Sequence, residues 1–242
     1  MDASQTNGSP SGDPEDFLDK VVEFPDGSAF ERLRPLTDLR KDPGEGRILY
    51  ICKRLKGQPT PQEPATGEEL VMKIKAQWPG PQNLMYAGPS EWTEAELKAL
   101  QKFTDLKTTN VPHLITWQKT MQPHHGIHPG GYLITVIMTK LPGETLWDMG
   151  YYSVKEDERQ EIQPIFMKKL QEIRRLNIQP YDCALRNIMW DRETRQVNIL
   201  DFEHYEESDE PVTEELAEFQ RWGLIHKPPP RTWFQEWGLK GV

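Results

Sequence analysis

Apolar and polar residues alternate over Leu70-Val71-Met72-Lys73-Ile74-Lys75. This predicts a short strand with Val71, Lys73 and Lys75 on one face and Leu70, Met72 and Ile74 on the other. Further strands are expected over Ile48–Leu55 and as a pair over His113–Thr120 and Tyr132–Thr139, joined by residues 121–131. Between the first two and the pair, the pattern changes to a helical period. Ser90 stands where it can cap a helix with acidic residues in its first turn, and Trp92, Ala95, Ala99 and Phe103 with Leu97 and Leu100 form the apolar stripe. Val154–Leu176 repeats that period, with Ile162, Ile165, Phe166, Leu170, Ile173 and Leu176 on its apolar face. Pro164 either kinks this helix or lies in its first turn. Two short apolar runs, beginning at Ile188 and at Val197, flank a polar turn over Asp191–Gln196 and predict a hairpin. Thr213–Gly223 is expected to be a closing helix with a glycine stop.

The hairpin changes the picture, because polar residues stand at its ends. Asp182 and Asn187 bracket a short loop before the first strand, and Asp201 follows the second. The hairpin returns Asp201 beside Asn187, so that two oxygen ligands converge in a way that suits Mg²⁺ together with substrate phosphates. Asp182 is left to accept the proton of a hydroxyl. An Asp followed five residues later by Asn is by itself commonplace in polar loops. Phosphoryl transfer at such a site also calls for a strand lysine to hold the phosphates and a helix glutamate to hold that lysine. Lys73 fits the first part, its other reading being a solvated strand face. Glu96, at the edge of the helical stripe, is the expected partner, with Glu94 as the fallback.

Taken in order, these segments resemble the protein-kinase-like superfamily, and within it the aminoglycoside phosphotransferase and choline kinase-related branch, particularly its short fungal members. The segments are Val71–Ile74, Glu96 with Leu100 and Phe103, Tyr132–Thr139, Leu141-Pro142-Gly143-Glu144-Thr145-Leu146, Asp182–Asn187 and Ile199–Glu203. The resemblance spans approximately Phe30–Glu203 and implies an α+β, bilobal fold. A small antiparallel-sheet N-lobe would occupy residues 16–140 and a reduced, mainly helical C-lobe residues 141–242, behind a disordered tail over residues 1–15. It implies ATP and Mg²⁺ as cofactors. Lys73 and Glu96 would serve the phosphates and Met138, Thr139, Lys140 and Leu141 the adenine. Asn187 and Asp201 would hold the metal, and Asp182 would act as base. Arg186 either compensates charge on the phosphoryl group or forms a salt bridge with a nearby acid.

Three departures from the family pattern bear on activity. Pro180 stands where relatives have a histidine two residues before the catalytic aspartate. In the segment expected to cover the phosphates, Arg34–Arg47, only Gly44 and Gly46 let backbone approach phosphate, and both equally suit a hairpin turn. No Ala-Pro-Glu element follows Glu203, which favours a small-molecule hydroxyl acceptor over a protein. A pseudokinase acting as a binding module and a compact protein kinase are the alternatives. Trp222, Trp233, Phe234 and Trp237 either line an acceptor pocket or pack on the C-lobe, the second being the expectation.

Composition narrows the partners. A formal charge of -9 over 242 residues argues against a nucleic-acid surface. No apolar run reaches membrane-spanning length or forms a signal peptide, so a cytoplasmic location is expected. Cys52 and Cys183 are the two cysteines and predict no disulfide framework. Lys56–Gly67 reads as an exposed hairpin insertion. His124, His125 and His128 lie in the loop joining the paired strands and are read as a hairpin tip, since structural zinc needs four converging ligands.

Overall fold

The computed structural model describes residues 17–42, 44–61, 69–79, 88–208, 210–212 and 214–225. The chain divides into two compact units. The first holds the described residues up to Lys107 together with His113–Lys140, and the second holds Thr108–Pro112 and the described residues from Leu141 onward.

The first unit is built on strands β1 (Val21–Glu23), β2 (Ala29–Pro35), β3 (Arg40–Asp42), β4 (Glu45–Lys56) and β5 (Leu70–Gln77). Helix α1 (Glu91–Leu106) follows, and then β6 (Leu114–Met121) and β7 (Tyr132–Thr139). All strand pairs are antiparallel, in the order β1-β2-β4-β5-β7-β6 with β3 attached to β4. The alternation read in β5 sorts its two faces as expected. Leu70, Met72, Ile74 and Ala76 join a core cluster with Phe30, Tyr50 and Cys52. Val71, on the opposite face, packs with Leu100, Val136 and Met138. Every residue of β5 is buried, because this strand has covering layers on both faces.

Ser90 caps α1, its hydroxyl accepting the Thr93 amide at 3.3 Å, and Lys107 ends the helix in the left-handed region at φ 51°. The buried face is Thr93, Glu96, Ala99, Leu100 and Phe103. Trp92, expected in the apolar stripe, is 44% exposed. The helix is rotated so that a threonine and a glutamate face the sheet, and ionic contacts outweigh burial of one indole.

Two boundaries differ from expectation. β4 starts at Glu45, three residues before Ile48, because Glu45 and Gly46 pair with Gln77 and Ala76. The segment Thr108–Pro112 belongs to the second unit. Its Asn110 amide donates to Asn198 at 3.1 Å, and the Ile199 amide donates to the Asn110 carbonyl at 3.1 Å. Of the two readings of Gly44 and Gly46, phosphate approach or hairpin turn, the structure contains the hairpin: Gly44, at φ 90°, lies between β3 and β4, and a Cβ at Gly46 would stand 2.7 Å from the Trp78 ring.

The second unit runs through β8 (Glu144–Thr145), α2 (Glu156–Arg174), β9 (Gln179–Pro180), β10 (Ile188–Asp191), β11 (Gln196–Ile199), β12 (Tyr205–Glu206) and α3 (Glu215–Arg221). The expected hairpin is β10–β11, with Ile188 opposite Ile199 and Asp191 opposite Gln196. β8 pairs with its other edge. Gly143 makes that pairing possible, since at φ +99° a Cβ would lie 2.5 Å from the Trp190 carbonyl oxygen. α2 is shorter at both ends than Val154–Leu176, and Pro164 lies in its interior, where it removes one backbone hydrogen bond. Its fully buried Ile162, Phe166 and Ile173 face the core. The Phe166 ring meets Trp222 edge-on at 5.2 Å, so Trp222 packs as expected. α3 is shorter than the expected Thr213–Gly223, and Gly223 follows it at φ 77°.

The tail at residues 1–15, the second half of the insertion at residues 62–67, and Trp233, Phe234 and Trp237 lie outside the described residues. No described helix is long and apolar enough to cross a membrane.

Candidate active site

Two groups of polar residues stand out, one in each unit. In the first, Lys73 projects from β5 and Glu96 from α1, and the ammonium donates to Glu96 Oε1 at 2.6 Å with both side chains 6% exposed. The strand period selects Lys73 and the helix period selects Glu96, so this pair is the one expected from sequence. Glu94, the fallback, faces away from the sheet and is exposed.

The neighbourhood of this pair contains residues to which sequence reasoning gave no role. Lys75, fully buried, lies 3.3 Å from Glu96 Oε2 and donates to Thr93 Oγ1 at 3.0 Å. Glu45, from the start of β4, accepts from Ser90, from Thr93 and, at 2.9 Å, from the Tyr132 hydroxyl. Burial, reinforced by the Glu45 carboxylate, raises the Tyr132 phenol well above its ordinary range and keeps it a donor. The signal for Lys75 was present in the β5 alternation, and that for Thr93 in its spacing three residues before Glu96. Nothing local marked Glu45, because it reaches the cluster only through β4–β5 register.

Of the residues expected against adenine, Met138 has its side chain in the apolar core. Thr139 ends β7 and is engaged with His113, its hydroxyl accepting the His113 amide at 2.9 Å and its own amide donating to the His113 carbonyl at 3.0 Å. Lys140 binds Glu69 at 2.9 Å, and Leu141 is the first residue of the second unit's longer segment. Lys140 and Leu141 lie beyond the last sheet pairing, so their backbone is not committed to the ladder.

In the second unit, the loop between β9 and β10 presents Asp182. Asn187 is buried and turns its Nδ2 back to the Asp182 carbonyl at 2.8 Å and to Asp182 Oδ2 at 3.2 Å. Arg186 Nη2 reaches both carboxylate oxygens of Asp182, at 2.5 and 2.7 Å. Of the two readings of Arg186, the salt bridge is the one this structure contains, and its partner is Asp182 itself. The Leu200 amide donates to the Asn187 carbonyl at 2.8 Å, which brings Asp201, the next residue, alongside. Asp201 has φ 60°, a left-handed conformation uncommon outside glycine and tolerated by Asp and Asn. Its carboxylate accepts a long bond from the Glu203 amide at 3.4 Å.

The flanks of the loop are fixed by other contacts. Pro180 pairs with Tyr205 of β12, and its carbonyl accepts from Arg221. The Tyr181 hydroxyl donates to Glu206. Burial pushes the Cys183 thiol up to about 12, so this neighbour of Asp182 is a neutral thiol and not a nucleophile. The three loop histidines do not converge as metal ligands among the described residues. His124 and His125 stack edge-on at 4.9 Å, and the loop is organised by Gln122, which accepts the His128 amide and donates to the Gln77 carbonyl.

No family model matches the chain, and no curated protein matches it. Among solved structures, the chain is similar to the PK-1 kinase of Cydia pomonella granulovirus, at 19% identity, with 72% of this chain and 50% of that chain covered and a TM-score of 0.46. It is also similar to Rad53 1-466 in complex with AMP-PNP, at 16% identity, with 72% and 40% covered and a TM-score of 0.47. The chain thus spans half or less of the length of these two proteins.

Proposed function

We propose that the protein is an ATP- and Mg²⁺-dependent phosphotransferase acting on a hydroxyl of a small molecule. The observation that carries the reading is the buried Lys73–Glu96 pair. A buried ion pair is poor value as a stabilising device, because apolar residues of similar volume often do as well or better. A lysine fixed on a strand by a helix glutamate is, however, what holding a nucleotide's phosphates requires. Lys73 has three N–H donors, and Glu96 Oε1 accepts one of them.

The second unit supports the same chemistry. Asn187 Nδ2 is committed to Asp182, which leaves the amide oxygen as an acceptor, and Asp201 adds a carboxylate. An amide oxygen and a carboxylate are hard donors of the kind Mg²⁺ takes together with phosphate and water. An ion held by these two residues would supply positive charge to offset charge developing on the phosphate. Asp182, tethered through its carbonyl, would orient the acceptor hydroxyl and take its proton. Arg186, bound to both carboxylate oxygens, would hold Asp182 in one orientation until the acceptor arrives.

One observation favours a second reading. With both oxygens of Asp182 on Arg186 and the glycines of the β3–β4 hairpin occupied by turn and tryptophan contacts, a nucleotide-binding protein without transfer activity is also consistent. Thermal unfolding tests the main reading. ATP with Mg²⁺ is expected to raise the midpoint, a ligand at about 100 times its Kd adding roughly 2.7 kcal/mol. Asp201→Asn, which tolerates the same left-handed backbone, is expected to remove the Mg²⁺-dependent part. No shift with either ligand rejects the reading.

A further inference from the structure

One face of β5 changes character along its length. Val71 meets Leu100 in an apolar contact, whereas two and four residues further on the same face carries Lys73 and Lys75 under the N-terminal turns of α1. Lys75 is entirely buried, and its ammonium lies 3.3 Å from Glu96 Oε2, while Lys73 donates to Glu96 Oε1 at 2.6 Å. One carboxylate therefore bridges two cations. Glu45 completes the charge balance at 3.8 Å from Lys75. It also binds Ser90, the cap of α1, and Thr93, one turn into the helix. If packing were the only demand, an apolar residue at position 75 would meet α1 as Val71 does, without the desolvation of a second ammonium.

We infer that Lys75 is a positioning residue that, with Glu45, clamps the first turns of α1 to the sheet and fixes Glu96, and through Glu96 the ammonium of Lys73. This inference rests on the phosphotransferase reading for its consequence but not for its geometry. A carboxylate bound through one oxygen swings about its terminal torsion, whereas one bound through both does not. Lys73 is thus presented to phosphate in a single place by residues internal to this unit.

The test uses the full chain with Lys75→Met and with the charge-balanced double variant Lys75→Met/Glu45→Gln. Three quantities are read: the unfolding midpoint without ligand, the ATP concentration giving half of the midpoint shift, and the carbon-13 shift of the Glu96 carboxyl group. The double variant is expected to unfold within a few degrees of the parent while needing about tenfold more ATP, with the Glu96 resonance displaced. Parent-like ATP response and an unmoved Glu96 resonance would falsify the inference, leaving Lys75 as a mere counter-ion of Glu45. If the parent itself does not respond to ATP, the phosphotransferase reading falls, and the Glu96 resonance still decides the role of Lys75. If Lys75→Met alone does not fold, the double variant decides.

Discussion

Under the proposed reading Asp182 is the residue on which transfer depends, and its carboxylate already has two partners. Arg186 and Asn187 both donate to it, and its side chain is 31% exposed. A carboxylate so held is well oriented, which suits a group that positions a hydroxyl and takes its proton late. Asp182→Asn is expected to lower kcat by about 10²- to 10⁴-fold. Arg186→Ala should lower kcat by roughly 10²-fold with little change in the KM for ATP, because Asp182 loses the donor that orients it. Steady-state kinetics check both, and a kcat that rises in Arg186→Ala means that the arginine only restrains Asp182. Asp201 shows the same economy: its left-handed backbone is one that Asp tolerates better than β-branched or bulky residues do.

At the scale of elements, the loop that carries Asp182 is held by what surrounds it. α2 is tied to the β10–β11 hairpin by Glu158, which accepts from Arg192 at 2.7 Å and from the Trp190 indole at 2.9 Å. The Arg192 bond, ahead of the Trp190 one, holds the Glu158 carboxyl below its ordinary range. A depressed carboxyl contributes stability above its unfolded pKa and loses it as the pH falls through the folded value. Glu158→Gln is therefore expected to cost about 0.5 kcal/mol at neutral pH, a small figure because Arg192 is mostly exposed. The difference should vanish at a pH below both values, and urea unfolding at the two pH extremes measures it. α1 follows another rule, since its C-terminal half is fixed by Leu100 and Phe103 and its N-terminal half by ions.

At the scale of the molecule, the proposed reading raises the question of which acceptor a phosphoryl group would reach. The formal charge of -9 makes an anionic polymer an unfavourable partner. Under the proposed reading, labelled ATP incubated with the protein and a cell extract should deliver label to the small-molecule fraction. Label confined to a distinct protein band would replace the small-molecule acceptor by a macromolecular one. Part of this organisation was legible beforehand. The β5 alternation, the helical period around Glu96 and the apolar runs flanking the hairpin turn are local patterns, and they placed Lys73 on β5, Glu96 on α1, and Asn187 and Asp201 at the open end of the β10–β11 hairpin.

The sequence by itself determined which segments become β5, α1, α2 and the β10–β11 hairpin and how the faces of β5 divide, because periods of 2 and 3.6 are properties of the backbone. The ends of β4, α2 and α3 were set by pairing and packing. Tertiary structure decided the partners. Trp92 yielded the buried face of α1 to Thr93 because Glu45, forty-eight residues away in the chain, arrives by strand register. Gly44 and Gly46 went to a hairpin because Trp78 packs there. Arg186 closed on Asp182 because a single turn sets the two side chains face to face. Each of these outcomes turns on contacts formed only when distant segments or a particular loop conformation are in place, and no local pattern of residues encodes those.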